Sequence, residues 1–264
     1  MPELPEVHNF KLYFDAAATG QTIARVTVHD DLIIRNMPGP AFADSLTGLT
    51  IVDSLRRGKY LFANLDNGHA LLLHFGMTGD LHLYQETEDR DKFERFALHF
   101  ADGNILGFND PRKFARILYL ESREAYIAEI NLGPDALDLS LESWLNAVKG
   151  RKSTIKGLLL NQSILSGVGN LYADEICYRT RIHPAARACD LSDEQLTALH
   201  AETQAVMRYG VENAPYYKDY PEDWFWHVWR EEGKPGPEGI GEVKVTKVAG
   251  RTTYYVDGWQ SGHE

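Results

Sequence analysis

The stretch Asn161-Gln162-Ser163-Ile164-Leu165-Ser166-Gly167-Val168-Gly169-Asn170-Leu171-Tyr172-Ala173-Asp174-Glu175-Ile176-Cys177-Tyr178-Arg179-Thr180-Arg181-Ile182-His183-Pro184 decides how the rest of the chain is read. Apolar residues at helical spacing run to about Ile164. Residues 166–170 (Ser-Gly-Val-Gly-Asn) spell a sharp turn, and a second helical run begins at Leu171. The two glycines let backbone approach an anion closely, and the start of the following helix presents free N–H groups to it. Asn170 adds a side-chain donor, and Lys156, on the preceding helix, adds positive charge. Taken alone, a Gly-x-Gly pair is equally a packing turn between helices.

Outward from this block the hydrophobic period divides the chain. Helical spacing is found at 123–129, 140–149, 153–161, 171–179 and 192–211, with Ser192 placed to cap the last of these. Before residue 122 the pattern is mostly strands: 24–28, 51–55, 59–65, 70–75, 80–84, 94–100, 104–108 and 116–120. Asp66-Asn67-Gly68 and Asp102-Gly103 are hairpin signals. A helix with Val7, Phe10 and Phe14 on one face precedes the strands and stops near Gly20, and 40–47 reads as a short helix. After 222 strand character returns, with Val243, Val245 and Val248 opposite Thr253-Tyr254-Tyr255-Val256. The reading is an α+β chain. An antiparallel β-sandwich with an N-terminal helix fills 1–122, a linker 123–139, a helical domain 140–221 and a β-hairpin 222–264.

The 264 residues carry a formal charge of −11, which argues globally against a polyanionic partner. The distribution is more permissive. Bases gather at 56–59, 112–116, 149–156, 179–187 and 244–251, so that a local basic face remains open to an acidic protein. Cys177 and Cys189 are too few for a disulfide framework or a four-cysteine zinc site. The acidic N-terminus is not a secretory leader, and no apolar run is long enough for a bilayer. These features point to a cytoplasmic protein.

The N-terminus reads Met1-Pro2-Glu3-Leu4-Pro5-Glu6-Val7. If Met1 is removed, Pro2 becomes a secondary amine. An α-amino group has a pKa of roughly 7.7–8.0, so part of it is a neutral nucleophile near neutral pH. Such an amine can attack a sugar C1′ and form an iminium, with Glu3 and Glu6 close by to move protons. The same residues also make a good helix start, with Pro5 in the first turn and carboxylates against the N-terminal dipole.

The 161–184 block resembles the helix–two-turn–helix motif of the formamidopyrimidine-DNA glycosylase and endonuclease VIII family. Pro-Glu-Leu-Pro-Glu-Val at 2–7, Arg-Arg-Gly-Lys-Tyr-Leu at 56–61, His-Phe-Gly-Met-Thr-Gly at 74–79 and Asn-Asp-Pro-Arg-Lys-Phe at 109–114 also look like family segments, in family order. The resemblance implies a bifunctional DNA glycosylase/AP lyase acting on oxidised bases in base excision repair. Pro2 would form the Schiff base, Glu3 would protonate the sugar oxygen, Glu6 would order the catalytic end and Lys59 would contact phosphate beside the lesion. Met77, Arg112 and Phe114 would fill the gap left by an extruded base. For Met77 and Phe114 core packing is the alternative, and for Arg112 a surface turn. Lys156, Asn170 and Arg251 would bind the DNA backbone. The partner would be damaged double-stranded DNA in a cleft between the domains. The protein would be a monomer, bacterial and nucleoid-associated, with no membrane.

Two departures from the family pattern bear on cofactor and substrate. Many members end in a four-cysteine zinc finger. Here Gly-Pro-Glu-Gly at 236–239 and Val-Asp-Gly-Trp at 256–259 stand where the cysteine pairs would be, and His227 and His263 are isolated. The expectation is a zincless finger, with no cofactor, packed by Trp229, Tyr254, Tyr255 and Trp259. The segment 213–226 is shorter than the loop that folds over the base in oxoguanine-specific relatives. This points to a broader range of oxidised pyrimidines, hydantoins and ring-opened purines, with 8-oxoguanine in doubt. Tyr216, Tyr217 and Tyr220 either touch the base or pack. The rival readings are a non-catalytic damaged-DNA binder that keeps the fold, a monofunctional glycosylase, and an RNA-binding protein built on a similar motif.

Overall fold

The computed structural model describes residues 2–213, 220–225 and 230–262; Met1, Tyr216, Tyr217, His227, Trp229 and His263 lie outside them. The chain divides into two compact units, Met1–Asn131 and Leu132–Glu264. No helix among the described residues is long and apolar enough to cross a membrane.

The first unit opens with helix α1 (Leu4–Ala18). Glu3 is its N-cap, Pro5 sits in its first turn, and the Glu3 backbone N–H donates to Glu6 Oε2 at 2.8 Å, half of a capping box. Leu4, Val7, Phe14 and Ala18 are wholly buried. Eight strands follow: β1 (Ile23–Val28), β2 (Ile51–Arg57), β3 (Tyr60–Leu65), β4 (Ala70–His74), β5 (Asp80–Gln85), β6 (Glu94–Phe100), β7 (Asn104–Asn109) and β8 (Arg116–Leu120). They form two four-stranded antiparallel sheets, ordered β1-β6-β7-β5 and β2-β3-β4-β8. Helix α2 (Gly39–Leu46) lies between β1 and β2 in sequence, and α3 (Arg123–Glu129) follows β8.

One core joins both sheets to α1 and α2. A ladder of rings runs through it: Phe10 on Phe75 (4.2 Å between centroids), Phe75 on Phe108 (5.5 Å), Phe108 on Phe96 (5.4 Å) and Phe96 on Phe42 (5.5 Å). The alternation expected for Ala24, Val26 and Val28 is broken. A bulge between Ile23 and Arg25 turns Ala24 outward and makes Ile23 the buried residue.

The second unit contains α4 (Leu141–Val148), α5 (Ile155–Leu159), α6 (Asn170–Arg179) and α7 (Asp193–Asn213), then the hairpin β9 (Glu242–Val248) and β10 (Arg251–Asp257). Side chains cap three of the helices: Ser140 accepts from Ser143 N–H, Thr154 from Gly157 N–H and Ser192 from Gln195 N–H. Helix α5 is shorter than the apolar run predicts. Asn161 Oδ1 accepts from the Ser163 N–H at 3.0 Å and the Ser163 hydroxyl at 2.7 Å, an Asx turn that halts the helix. Tyr178, Phe225, Val243 and Val256 form the core that seats the hairpin on α6.

Candidate nucleic-acid interface and catalytic end

In the first unit, Pro2 is half-buried at the head of α1 and Glu3 behind it is only 3% exposed. The Glu6 carboxylate holds the peptide N–H that joins Pro2 to Glu3. The helix-start reading and the catalytic reading of this stretch therefore describe one arrangement: the capping box fixes the residue next to the candidate nucleophile. Lys59 is half-buried in the β2–β3 turn, where the Arg56 guanidinium donates to Gly58 O at 3.1 Å. Nearby His74 is held down to about 4, first by burial and then by the charges of Arg116 and Lys59. The Gly76 N–H donates to its Nδ1 at 3.3 Å, which leaves the proton of the neutral ring on Nε2.

Met77 and Phe114, expected either to pack in the core or to face a base gap, are 41% and 48% exposed. They lie on loops that are locked together. The Asp110 carboxylate, wholly buried, accepts from Thr78 Oγ1 (2.5 Å), the Arg112 N–H (3.2 Å) and the Ala115 N–H (2.8 Å). Gly76 sits at φ +60, and a Cβ there would lie 2.4 Å from the Phe114 carbonyl carbon; only glycine permits this approach. The Arg112 guanidinium lies over the Phe114 ring at 4.7 Å and makes no ion pair among the described residues. Its neighbour Lys113 is spent on Asp30 at 2.5 Å. A flexible thioether, an aromatic ring and a cation are thus presented outward on rigid loops. Thr78 and Asp110 fall within the segments 74–79 and 109–114, where local pattern assigns neither a role. Only their pairing across the two loops assigns one.

In the second unit, the 166–170 turn leads into α6 with Gly169 as N-cap and Asn170 as first residue. The Asn170 amide donates to Thr252 O at 3.1 Å, which sets it beside the hairpin tip. Ala249 (φ +49) and Gly250 (φ +75) make the two-residue turn there, a type I′ geometry that matches strand twist. Arg251, exposed at the tip, makes no side-chain ion pair among the described residues.

Lys156 requires a correction. The sequence reading placed it on the DNA backbone, but the ammonium is 0% exposed. It donates to Asp174 Oδ1 (2.5 Å), Thr253 Oγ1 (2.7 Å) and Thr252 O (3.3 Å), which uses all three of its protons internally. Burial draws Lys156 down and lifts Asp174 to about 6, because both ions have lost water.

The hairpin is packed by aromatic residues. Arg181 lies over Trp259 at 3.9 Å, His183 meets Tyr255 at 4.3 Å, and Gln260 bonds both the Val256 N–H and Ile182 O. No group of three or more possible metal ligands occurs among the described residues. At the position of one missing cysteine pair, a Cβ on Gly236 would lie 2.0 Å from Ile240 O. Tyr220 packs too: it is buried, with its hydroxyl 2.6 Å from that of Tyr172.

Residues 1–117 match the formamidopyrimidine-DNA glycosylase N-terminal domain, and residues 132–218 the formamidopyrimidine-DNA glycosylase H2TH domain. The formamidopyrimidine-DNA glycosylase of Heliobacterium modesticaldum is 36% identical over 97% of this chain and 98% of its own. That of Arabidopsis thaliana is 34% identical, over 97% of this chain and 70% of its own. Among solved structures, Lactococcus lactis formamidopyrimidine-DNA glycosylase bound to DNA containing an AP site superimposes with a TM-score of 0.90. That alignment covers 98% of this chain and 99% of the other at 24% identity, a likeness of fold. With both domains matched in chain order and a relative of this identity aligned nearly end to end, the chain belongs to the formamidopyrimidine-DNA glycosylase family.

Proposed function

We propose that this protein is a bifunctional DNA glycosylase/AP lyase of base excision repair, with the amine of Pro2 as nucleophile once Met1 is removed. The observation that carries the reading is the buried Glu3 carboxyl, one residue from that amine, on a residue whose backbone N–H is held by the Glu6 carboxylate. Pro2 nitrogen attacks C1′ of the damaged nucleoside. The C1′–base bond breaks, the base leaves with a proton, and Glu3 protonates the sugar ring oxygen as the ring opens to an iminium. Loss of a C2′ proton then expels the 3′ phosphate, and a second elimination expels the 5′ phosphate. Hydrolysis of the iminium regenerates the amine.

Lys59 places positive charge at the phosphate beside the lesion. Met77, Arg112 and Phe114 occupy the space of the extruded nucleotide, a role their exposure on locked loops supports. Asn170 and Arg251 bind flanking phosphates. The partner is damaged duplex DNA, bound by a monomer, in the cytoplasm with the nucleoid. The substrates are ring-opened purines, hydantoins and oxidised pyrimidines. No zinc is required, because aromatic and backbone packing closes the finger.

The test is borohydride trapping on protein lacking Met1, with duplexes carrying an abasic site, 8-oxoguanine, a hydantoin or an oxidised pyrimidine. The expected result is a covalent adduct located at Pro2 by mass spectrometry. DNA binding with no adduct on any substrate would make the non-catalytic binder the better account.

A further inference from the structure

The buried charge that the DNA-contact reading cannot use has a definite connection to the hairpin tip. The Lys156 ammonium donates to Thr253 Oγ1 at 2.7 Å, and the Thr253 hydroxyl donates onward to Arg251 O at 3.0 Å. One hydroxyl can accept the first bond and donate the second, so the two form a directed relay. The ammonium also reaches Thr252 O at 3.3 Å, the same carbonyl that accepts from the Asn170 amide at 3.1 Å. Behind the relay, Asp174 holds Lys156 through one oxygen. The other accepts from Arg230 and from the Tyr254 N–H, both at 3.4 Å. Thr253, Lys156 and Asp174 are essentially inaccessible to solvent.

Such a network is costly to bury. A well-packed apolar cluster of the same volume would stabilise the unit as well or better. What the polar version adds is direction. It fixes the carbonyls of Arg251 and Thr252, hence the base of the Arg251 side chain, relative to Asn170 at the head of α6. The hairpin closes in the two-residue turn of Ala249 and Gly250. A Cβ added at Gly157, beside Lys156 on α5, would sit 3.5 Å from the Ala249 methyl.

We propose that Thr253 and Lys156 are positioning residues that act through Arg251, holding its backbone so that its guanidinium and the Asn170 amide close on phosphate together. This rests on the reading of Arg251 as a phosphate ligand, and the experiment separates the two ideas.

The full-length protein is titrated with a duplex containing a tetrahydrofuran abasic analogue at several salt concentrations. Arg251→Ala alone should weaken Kd about 30-fold, as expected for losing a charge-assisted contact. It should also flatten the slope of log Kd against log salt by about 0.9, one phosphate contact. Thr253→Val keeps the shape and removes the relay; it should weaken Kd about fivefold, the scale of one hydrogen bond. Thr253→Ser keeps the hydroxyl and should bind as wild type.

The decisive reading is the double variant. Thr253→Val added to Arg251→Ala should cost no more than Arg251→Ala alone, because the residue it serves has gone. Costs that multiply would make Thr253 a structural residue only and overturn the proposal, as would wild-type binding by Thr253→Val. Wild-type binding by Arg251→Ala would instead remove the phosphate reading itself. If Thr253→Val fails to fold, Lys156→Met with Asp174→Asn repeats the cycle without leaving a lone buried ion.

Discussion

Thr78 Oγ1 donates to Asp110 Oδ1 at 2.5 Å, and this bond ties the loop that presents Met77 to the loop that presents Arg112 and Phe114. Oδ1 also accepts from the Arg112 N–H, and Oδ2 from the Ala115 N–H. Asp110 is wholly buried, so these bonds replace its water. Thr78→Val removes one of them without changing shape and should lower stability by roughly 1–2 kcal/mol. Excision from duplex DNA should fall further than cleavage of an abasic site in a single strand, which has no base stack to refill. Equal losses on both substrates would mean the clamp serves stability alone.

Met77 and Phe114 lie largely outside the core, so truncating either should leave the fold intact. Met77→Ala and Phe114→Ala are each expected to shift unfolding by no more than about 0.5 kcal/mol. Each should slow excision roughly 10- to 100-fold, on the scale of lost base stacking. Urea unfolding and single-turnover excision measure the two quantities. A large loss of stability with normal excision would place these side chains in packing after all.

Glu3→Gln preserves an N-cap of nearly the same shape while removing the acid. Base excision should fall by at least about 100-fold, the usual scale for a lost general acid, with helix content unchanged. Wild-type excision would contradict the assigned role. Pro2→Gly leaves a primary amine, and some lyase activity on a preformed abasic site should survive.

His74 should titrate near 4, below an unperturbed histidine. Its folded value is depressed, so the native state binds fewer protons than the unfolded chain. The neutral ring's contribution to stability is fully present above the unfolded value of 6.5 and is lost as pH falls toward about 4. Carbon-detected NMR titration reads the ring directly. Lys59→Met should move the midpoint upward, because one of the opposing charges is removed.

The finger should be indifferent to chelation. Overnight treatment with a strong chelator is expected to change neither Tm nor activity, and a drop in either would contradict a metal-free finger. Gly241 sits at φ +69, with space for a Cβ only 1.6 Å from Asp257 O. Gly241→Ala should therefore loosen the finger and weaken DNA binding, measured by limited proteolysis and by titration. Restoring cysteines at 236 and 239 should not restore a zinc site, because Gly236 is closed by the Ile240 carbonyl in the same way.

Local pattern by itself determined the elements of this protein. The change from strand to helix spacing near residue 122, the hairpin glycines Gly68 and Gly103, the Ser192 cap and the proline and carboxylates that start α1 are all properties of neighbouring residues, and all appear where the pattern puts them. The missing finger cysteines were equally legible. What only the tertiary structure decided is which side of the surface a residue falls on. Ala24 turns outward because a bulge interrupts its strand. Met77 and Phe114 look like core residues by type, yet they stand exposed on two loops that the Asp110 bonds and the close approach at Gly76 hold together. Lys156 looks like a surface cation and is buried, because its partners Asp174 and Thr253 stand 18 and 97 residues further along the chain. Spacing reports what one helix or strand can do with its own neighbours. The burial of a charge depends on partners brought from elsewhere, and no local period encodes them.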